Sequence, residues 1–270
     1  MVLAFTLALV APAACSGSGD TEEPTLRDIV RQAIERAREA RNGDSGTTTS
    51  QPSPTSTLGT DGRTRFDYAT YQRTIASTLG LLEEYWRATL PDLGARYTPL
   101  KGYTYYRSDQ GGGPSCGNEP APANNAFYCP AGDFIAWDES GLMIPYYVQG
   151  GDFAASFVLA HEFGHAMQAR LPRQESAGVL RELQADCFAG AWSRAMSERR
   201  LLDPGDLDEA TLAVFAARDV PGTPWTDPRA HGSGFQRTRA FGDGFEGDVR
   251  ECYPAPADRW ILSEQPAAQQ

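Results

Sequence analysis

The chain has 270 residues, 41% of them hydrophobic, and its 35 acidic and 24 basic residues give a formal net charge of −11. This length excludes a disulfide-stabilised miniprotein and is compatible with one large domain or two small ones. Nucleic acids and anionic membrane surfaces attract basic patches, so the acidic excess argues against either as the main partner.

The first 14 residues are uncharged and mostly apolar, but they are too few for a membrane span, which needs about 20 residues. We expect an export signal within residues 1–15, so the protein would be secreted or held at the outer face of the cytoplasmic membrane. Small residues before Cys15 resemble a bacterial lipoprotein processing site, and a lipid on Cys15 would be the membrane anchor. Pro12 and the lack of Lys or Arg before the apolar run depart from that pattern, so an ordinary secretory signal remains the alternative.

The segment after the signal divides into a short helix and a linker. Apolar residues spaced by three and four predict an amphipathic helix over residues 25–41. Residues 43–63 are rich in Ser, Thr, Pro and Gly, a composition typical of a flexible tether. We therefore predict a flexible linker over residues 16–62, a folded domain over residues 63–262 and a short tail over residues 263–270.

The first half of the folded domain combines a helix with short strands. Apolar periodicity predicts an amphipathic helix over residues 66–90, which Pro91 ends. The aromatic-rich residues 97–137 indicate short strands and loops, with the clearest strand at residues 134–137.

Four cysteines remain when Cys15 is set aside. In an exported protein an even number of cysteines favours disulfides. We favour a Cys116–Cys129 pair, which closes a short loop, and a Cys187–Cys252 pair, which ties the end of the domain back to a predicted helix. A thiolate metal site is the alternative, but the spacing contains no CxxC element.

The residues that carry chemistry lie in a predicted buried helix, residues 152–171, which Pro172 ends. This helix contains the HExxH pattern as His161-Glu162-Phe163-Gly164-His165. Helical residues four apart project from the same face, so both imidazoles can reach one metal ion while the glutamate lies beside it. The pattern predicts a zinc site with two histidine ligands.

A catalytic zinc site needs a third protein ligand and an open position for water. The extension HExxHxxGxxH is absent, because Gln168 and Leu171 occupy its Gly and His positions. A second predicted helix, residues 177–199, offers Glu182 and Asp186 instead.

The position of these two carboxylates is specific if the two helices run antiparallel. At a rise of about 1.5 Å per residue, Glu182 comes level with His165, and Asp186 comes level with His161. Glu182 can then complete the metal site, while Asp186 accepts the free N–H of a ligand imidazole. The alternative is that both carboxylates lie on a solvated helix face.

Several motifs together resemble the putative neutral zinc metallopeptidase family, a gluzincin-like group. They are HEFGHAMQ, RELQADCFAGAW, a His231-Gly-Ser segment followed by Gln236-Arg237, a closing GDVREC, and the shorter FYCP and GDFA. The resemblance extends from about Cys116 to Cys252 and leaves residues 1–62 outside. Ala240 replaces an aromatic residue that is usual in the last motif.

This resemblance implies an α+β fold that is mainly α, a zincin-like domain with an active-site helix, a glutamate helix and a small β-region before them. It also implies His161, His165 and Glu182 as the ligands of one zinc ion per chain, and Glu162 as the catalytic carboxylate. The substrate would then be a peptide or protein.

The residues themselves favour the same chemistry. Water bound to zinc has a pKa of about 7, and Glu162 lies where it can take the water proton and deliver it to the leaving amine. Amide hydrolysis without a covalent intermediate is therefore expected, with the strand at residues 134–137 contributing to the cleft walls. A serine-type route lacks the GxSxG pattern.

His231 precedes a capping-box pattern formed by Ser233 and Gln236, so we expect it at the N-terminal end of a helix. From there it could donate a hydrogen bond to the tetrahedral oxyanion. The alternative is a packing or capping histidine.

Two functional classes fit these observations. One is a zinc endopeptidase, and the other is a zinc-stabilised binding or regulatory domain that cleaves nothing. A scaffold does not need a carboxylate at Glu162, so that residue favours catalysis.

Overall fold

The computed structural model describes residues 66–261. The predicted signal with Cys15, the helix at residues 25–41 and the tail at residues 263–270 lie outside the described residues. These expectations therefore stay predictions.

The first helix within the described residues, α1, spans Tyr68–Thr89 and confirms the predicted amphipathic helix. The Asp67 side chain caps its N-terminus by accepting the backbone N–H of Ala69, and a 3₁₀ turn over Leu90–Leu93 follows it. Its apolar face is buried in the core at intervals of three and four residues. That face comprises Ile75, Leu79, Leu82 and Trp86.

Three strands form the small sheet. They are β1 (Gly102–Tyr106), β2 (Ala126–Cys129) and β3 (Phe134–Asp138), in the order β1-β3-β2. The pairing of β1 with β3 is parallel and that of β2 with β3 is antiparallel. The strand predicted from sequence is therefore the central one, and β2 is an edge strand.

The rest of the described chain is mainly helical. A π-helical turn at Glu139–Met143 leads into α2. The remaining α-helices are α2 (Ile144–Gly150), α3 (Asp152–Gln168), α4 (Gly178–Glu198), α5 (Asp206–Ala216), α6 (Gly234–Glu246) and α7 (Ala257–Trp260). Within residues 66–261, no helix is both long and apolar enough to cross a membrane. The expected α+β fold, mainly α, is confirmed.

Glycines let the central helices approach closely. A Cβ on Gly190 of α4 would collide with a backbone carbonyl of α6, and one on Gly244 of α6 would collide with a backbone carbonyl of α4. Between α3 and α4, a Cβ on Gly164 would lie 2.9 Å from the Cα of Ala185. This backbone-to-backbone packing brings side chains of α3, α4 and α6 into contact around one point.

Both predicted disulfides are present. Cys116 is bonded to Cys129, and Cys187 is bonded to Cys252. The second pair is fully buried and fastens the 3₁₀ turn at Val249–Cys252 to α4.

Candidate metal centre

Three possible ligand side chains converge from α3 and α4. The Nε2 atoms of His161 and His165 are 3.2 Å apart. The Oε2 atom of Glu182 lies 3.2 Å from the first and 3.5 Å from the second. The structure thus brings together the three residues that the sequence singled out, with their ligand atoms all within 4.8 Å of one another.

The other ring nitrogen of each histidine is held by an acceptor. The Nδ1 atom of His161 lies 2.8 Å from Oδ1 of Asp186, which is fully buried. The Nδ1 atom of His165 lies 2.9 Å from Oε1 of Gln168, whose Nε2 donates to the Arg181 carbonyl at 2.6 Å. Because a carbonyl can only accept, this second bond fixes the orientation of the amide and makes Nδ1 of His165 the donor.

These contacts leave three acceptors facing one another. When the imidazoles are neutral and carry their protons on Nδ1, each Nε2 has a lone pair, and both lone pairs meet the Glu182 carboxylate. A cluster of acceptors without a donor is unfavourable unless a cation lies among them. Two imidazole nitrogens and one carboxylate oxygen are the donor set of many catalytic zinc sites, so the residues fit zinc.

Electrostatics at the cluster favour positive charge. Burial opposes the imidazolium form of His161, but the adjacent Asp186 carboxylate outweighs it and raises the pKa of His161 to about 10. Burial also opposes the charged form of Glu182, yet the neighbouring imidazoles of His165 and His161 hold its pKa well below its usual range. The carboxylates around the two imidazoles therefore favour positive charge at this point.

Arg237 of α6 binds Asp186, the carboxylate that holds His161. Its Nε and Nη2 atoms donate to the two carboxylate oxygens of Asp186, both at 2.8 Å, and its Nη1 donates to the Ala217 carbonyl at 2.6 Å. Burial opposes the charge of Asp186, but Arg237 outweighs it and lowers the pKa of that carboxyl. A chain of contacts thus runs from Arg237 through Asp186 to His161.

The sequence alone did not predict that Gln168 holds His165 or that Arg237 holds Asp186. The position of each residue in its helix was nevertheless informative. Gln168 lies three residues after His165 and so shares its helix face. Arg237 occupies the apolar stripe of α6, where a charged residue needs a buried partner. That stripe comprises Gly234, Arg237, Ala240, Phe241 and Gly244.

Glu162 projects from α3 toward the edge strand. Its Oε2 atom accepts the backbone N–H of Tyr128 in β2 at 2.9 Å, and the residue is buried at the floor of the cleft. The bond orients the carboxylate beside the three candidate ligands.

His231 lies at the rim and is not among the converging ligands. The backbone N–H groups of His231 and Gly232 donate to Oδ2 of Asp219, and the imidazole Nδ1 is 3.5 Å from Oδ1 of the same carboxylate. The expected capping box of Ser233 and Gln236 is present at the start of α6. About half of the His231 side chain is exposed, on the wall of the cleft.

The cluster opens into a cleft of about 750 Å³. Its lining includes β2 and the residues just before it, the end of α5, and His231. The expectation that residues 134–137 line the cleft is wrong. They form the central strand β3, so the edge strand β2 lies between them and the site.

The chain matches a protein family whose description fits a zinc site. The model of a family described as "putative neutral zinc metallopeptidase" matches residues 42–254. The match begins well before the stretch from Cys116 whose motifs carry the resemblance, and it includes part of the predicted linker.

Two curated relatives have no assigned function. The uncharacterized protein YpfJ of Escherichia coli (strain K12) is 33% identical over 198 residues, covering 64% of this chain and 68% of YpfJ. The uncharacterized protein Rv2575 of Mycobacterium tuberculosis is 33% identical over 171 residues, covering 52% and 58%. No solved structure matches the chain. The family match spans most of the sequence and includes His161, His165 and Glu182, so the chain belongs to the putative neutral zinc metallopeptidase family.

Proposed function

We propose that this protein is a zinc-dependent metalloendopeptidase that hydrolyses peptide bonds in peptide or protein substrates. One observation carries the proposal. His161, His165 and Glu182 converge at the floor of an open cleft, with a fourth side chain, Glu162, beside them. The three converging residues would hold one zinc ion. Zinc bound there would lower the pKa of a water ligand to about 7 and polarise the scissile carbonyl.

Glu162 is the proposed general base and acid. The Tyr128 N–H holds its Oε2 atom and thereby orients the carboxylate, which leaves Oε1 to accept a proton from water and pass it to the leaving amine. Asp186 keeps the Nδ1 proton on His161, so that Nε2 remains the ligand atom.

The edge strand supports binding of an extended peptide. The N–H of Tyr128 points away from β3 and into the cleft. Backbone groups alternate along a strand, so the N–H and C=O of Ala126 face the same way. A substrate could pair with Ala126 as an added strand, and His231, which also lines the cleft, could donate to the oxyanion.

The two disulfides support an oxidising location. We therefore propose an exported protein that is either secreted or anchored at the outer face of the cytoplasmic membrane through a lipid on Cys15.

The test is cleavage under metal control. The purified exported chain should cleave casein or members of a peptide library, lose that activity when 1,10-phenanthroline removes the metal, and regain it with added zinc. Cleavage would be followed by mass spectrometry of the fragments. Protein that contains one zinc ion yet cleaves no peptide of the library would instead be a zinc-stabilised binding domain.

A further inference from the structure

The cleft differs in charge from the rest of the molecule. Among residues 66–261, its lining contains two carboxylates, Glu162 and Glu182, and both belong to the candidate metal centre. Its arginines are Arg181, Arg218 and Arg237, of which the last is paired with buried Asp186. Two cationic side chains therefore remain on the cleft walls of a chain whose net charge is −11.

Arg181 directly precedes Glu182 on α4, and its side chain is exposed. Within residues 66–261 its guanidinium makes one hydrogen bond, from Nη1 to the carbonyl of Glu175 at 3.2 Å, and no ion pair. A guanidinium has several N–H donors in a rigid fork, so most of them remain available to a ligand. The bond to Glu175 steadies the group next to the metal centre.

Arg218 follows α5 and is held in a comparable way. Its guanidinium packs over the Phe215 ring at 4.1 Å, and its Nη1 donates to the Phe215 carbonyl at 2.9 Å. In the described part of the chain it has no carboxylate partner. The neighbouring acid, Asp219, accepts the backbone N–H groups of His231 and Gly232 instead.

We propose that the cleft selects peptides with acidic side chains near the scissile bond, and that Arg181 and Arg218 bind those carboxylates. Arg forms charge-assisted, bidentate hydrogen bonds with carboxylates, and a cleft concentrates the field of its charges. The inference rests on the proposed peptidase function and adds the substrate class to it.

The test compares matched peptides. Three fluorogenic peptides would differ only in carrying Glu, Gln or Lys on both sides of one cleaved bond. Acetylated and amidated ends would leave the side chains as the sole source of carboxylate. We expect kcat/KM to fall in the order Glu, Gln, Lys, by up to about fivefold for each arginine engaged. Higher salt should reduce the differences in kcat/KM among the three peptides, because it screens the charges.

Substitutions test whether Arg181 and Arg218 cause the preference for the Glu peptide. Arg181→Gln and Arg218→Gln should each lower the Glu-to-Gln ratio of kcat/KM. Arg229→Gln makes the same change in net charge at an exposed arginine outside the cleft lining and should keep the wild-type ratio. Binding of the same peptides to a Glu162→Gln protein, followed by fluorescence anisotropy, should show the same order without cleavage.

The possible outcomes separate the two proposals. Equal kcat/KM for the Glu and Gln peptides, or an equal loss of preference in the Arg229→Gln control, would overturn the acidic specificity while leaving the peptidase function intact. Failure to cleave any peptide would overturn the peptidase function itself.

Discussion

The Glu162→Gln variant is expected to lose peptide cleavage while it retains one zinc ion per chain. The amide oxygen can still accept the Tyr128 N–H, so the side chain keeps its place on the cleft floor. An amide cannot take a proton from water and return it to the leaving amine, and loss of such a group costs about 10²- to 10⁴-fold in rate. Turnover of a fluorogenic peptide and zinc analysis of the same sample measure both quantities.

Glu175 offers a matched control for this substitution. It is also a buried glutamate, and its Oε1 atom accepts a backbone N–H, that of Ala255. It lies outside the cleft lining, so Glu175→Gln should keep wild-type turnover. If Glu162→Gln cleaved peptide at the wild-type rate, or if both variants were equally slow, the assigned role of Glu162 would be wrong.

The Arg237→Met variant should weaken zinc binding although Arg237 is not itself a proposed zinc ligand. It removes the partner that holds both oxygens of Asp186 and leaves that buried carboxylate with His161 as its remaining partner. Breaking a buried pair costs about 3–5 kcal/mol of stability, and disturbing the outer partners of a metal ligand costs about 10- to 100-fold in metal affinity. Chelator competition gives the affinity, and thermal unfolding of metal-free protein gives the stability.

A substitution of Arg170 is the control that separates the loss of zinc affinity from general destabilisation. Arg170 also bonds both oxygens of a carboxylate, Asp133, at 2.9 and 3.1 Å, and its side chain is largely buried, although Asp133 is more exposed than Asp186. Arg170→Met should lower stability but leave zinc affinity unchanged. In the Asp186→Asn background, Arg237→Met should cost little further zinc affinity, because Arg237 acts through Asp186. An unchanged zinc affinity in the Arg237→Met single variant would refute the role.

The sequence predicts the convergence of His161, His165 and Glu182 because helical geometry is local. The spacing of His161 and His165 fixes their shared face. A constant rise per residue puts Glu182 and Asp186 level with them once the chain turns between α3, which ends at Gln168, and α4. The contacts of Asp186 with His161 and of Glu182 with both imidazoles follow that arrangement.

Features that depend on long-range packing were harder to predict. Residues 134–137 read as a strand, but their central position depends on partners on both sides, and the short β2 that lines the cleft gave little signal of its own. Arg237 belongs to a sequence motif, but its pairing with Asp186 depends on the packing of α6 against α4. Gly190 and Gly244 lower helix propensity, and only the close crossing of these two helices explains them.

The metal content of the purified protein tests the central claim most directly. Elemental analysis of the wild-type chain should find one zinc ion per molecule, and the Glu182→Ala variant, if folded, should contain almost none. Wild-type protein that folds and stays free of metal in the presence of zinc, or a Glu182→Ala variant that binds zinc as tightly as wild type, would contradict the account.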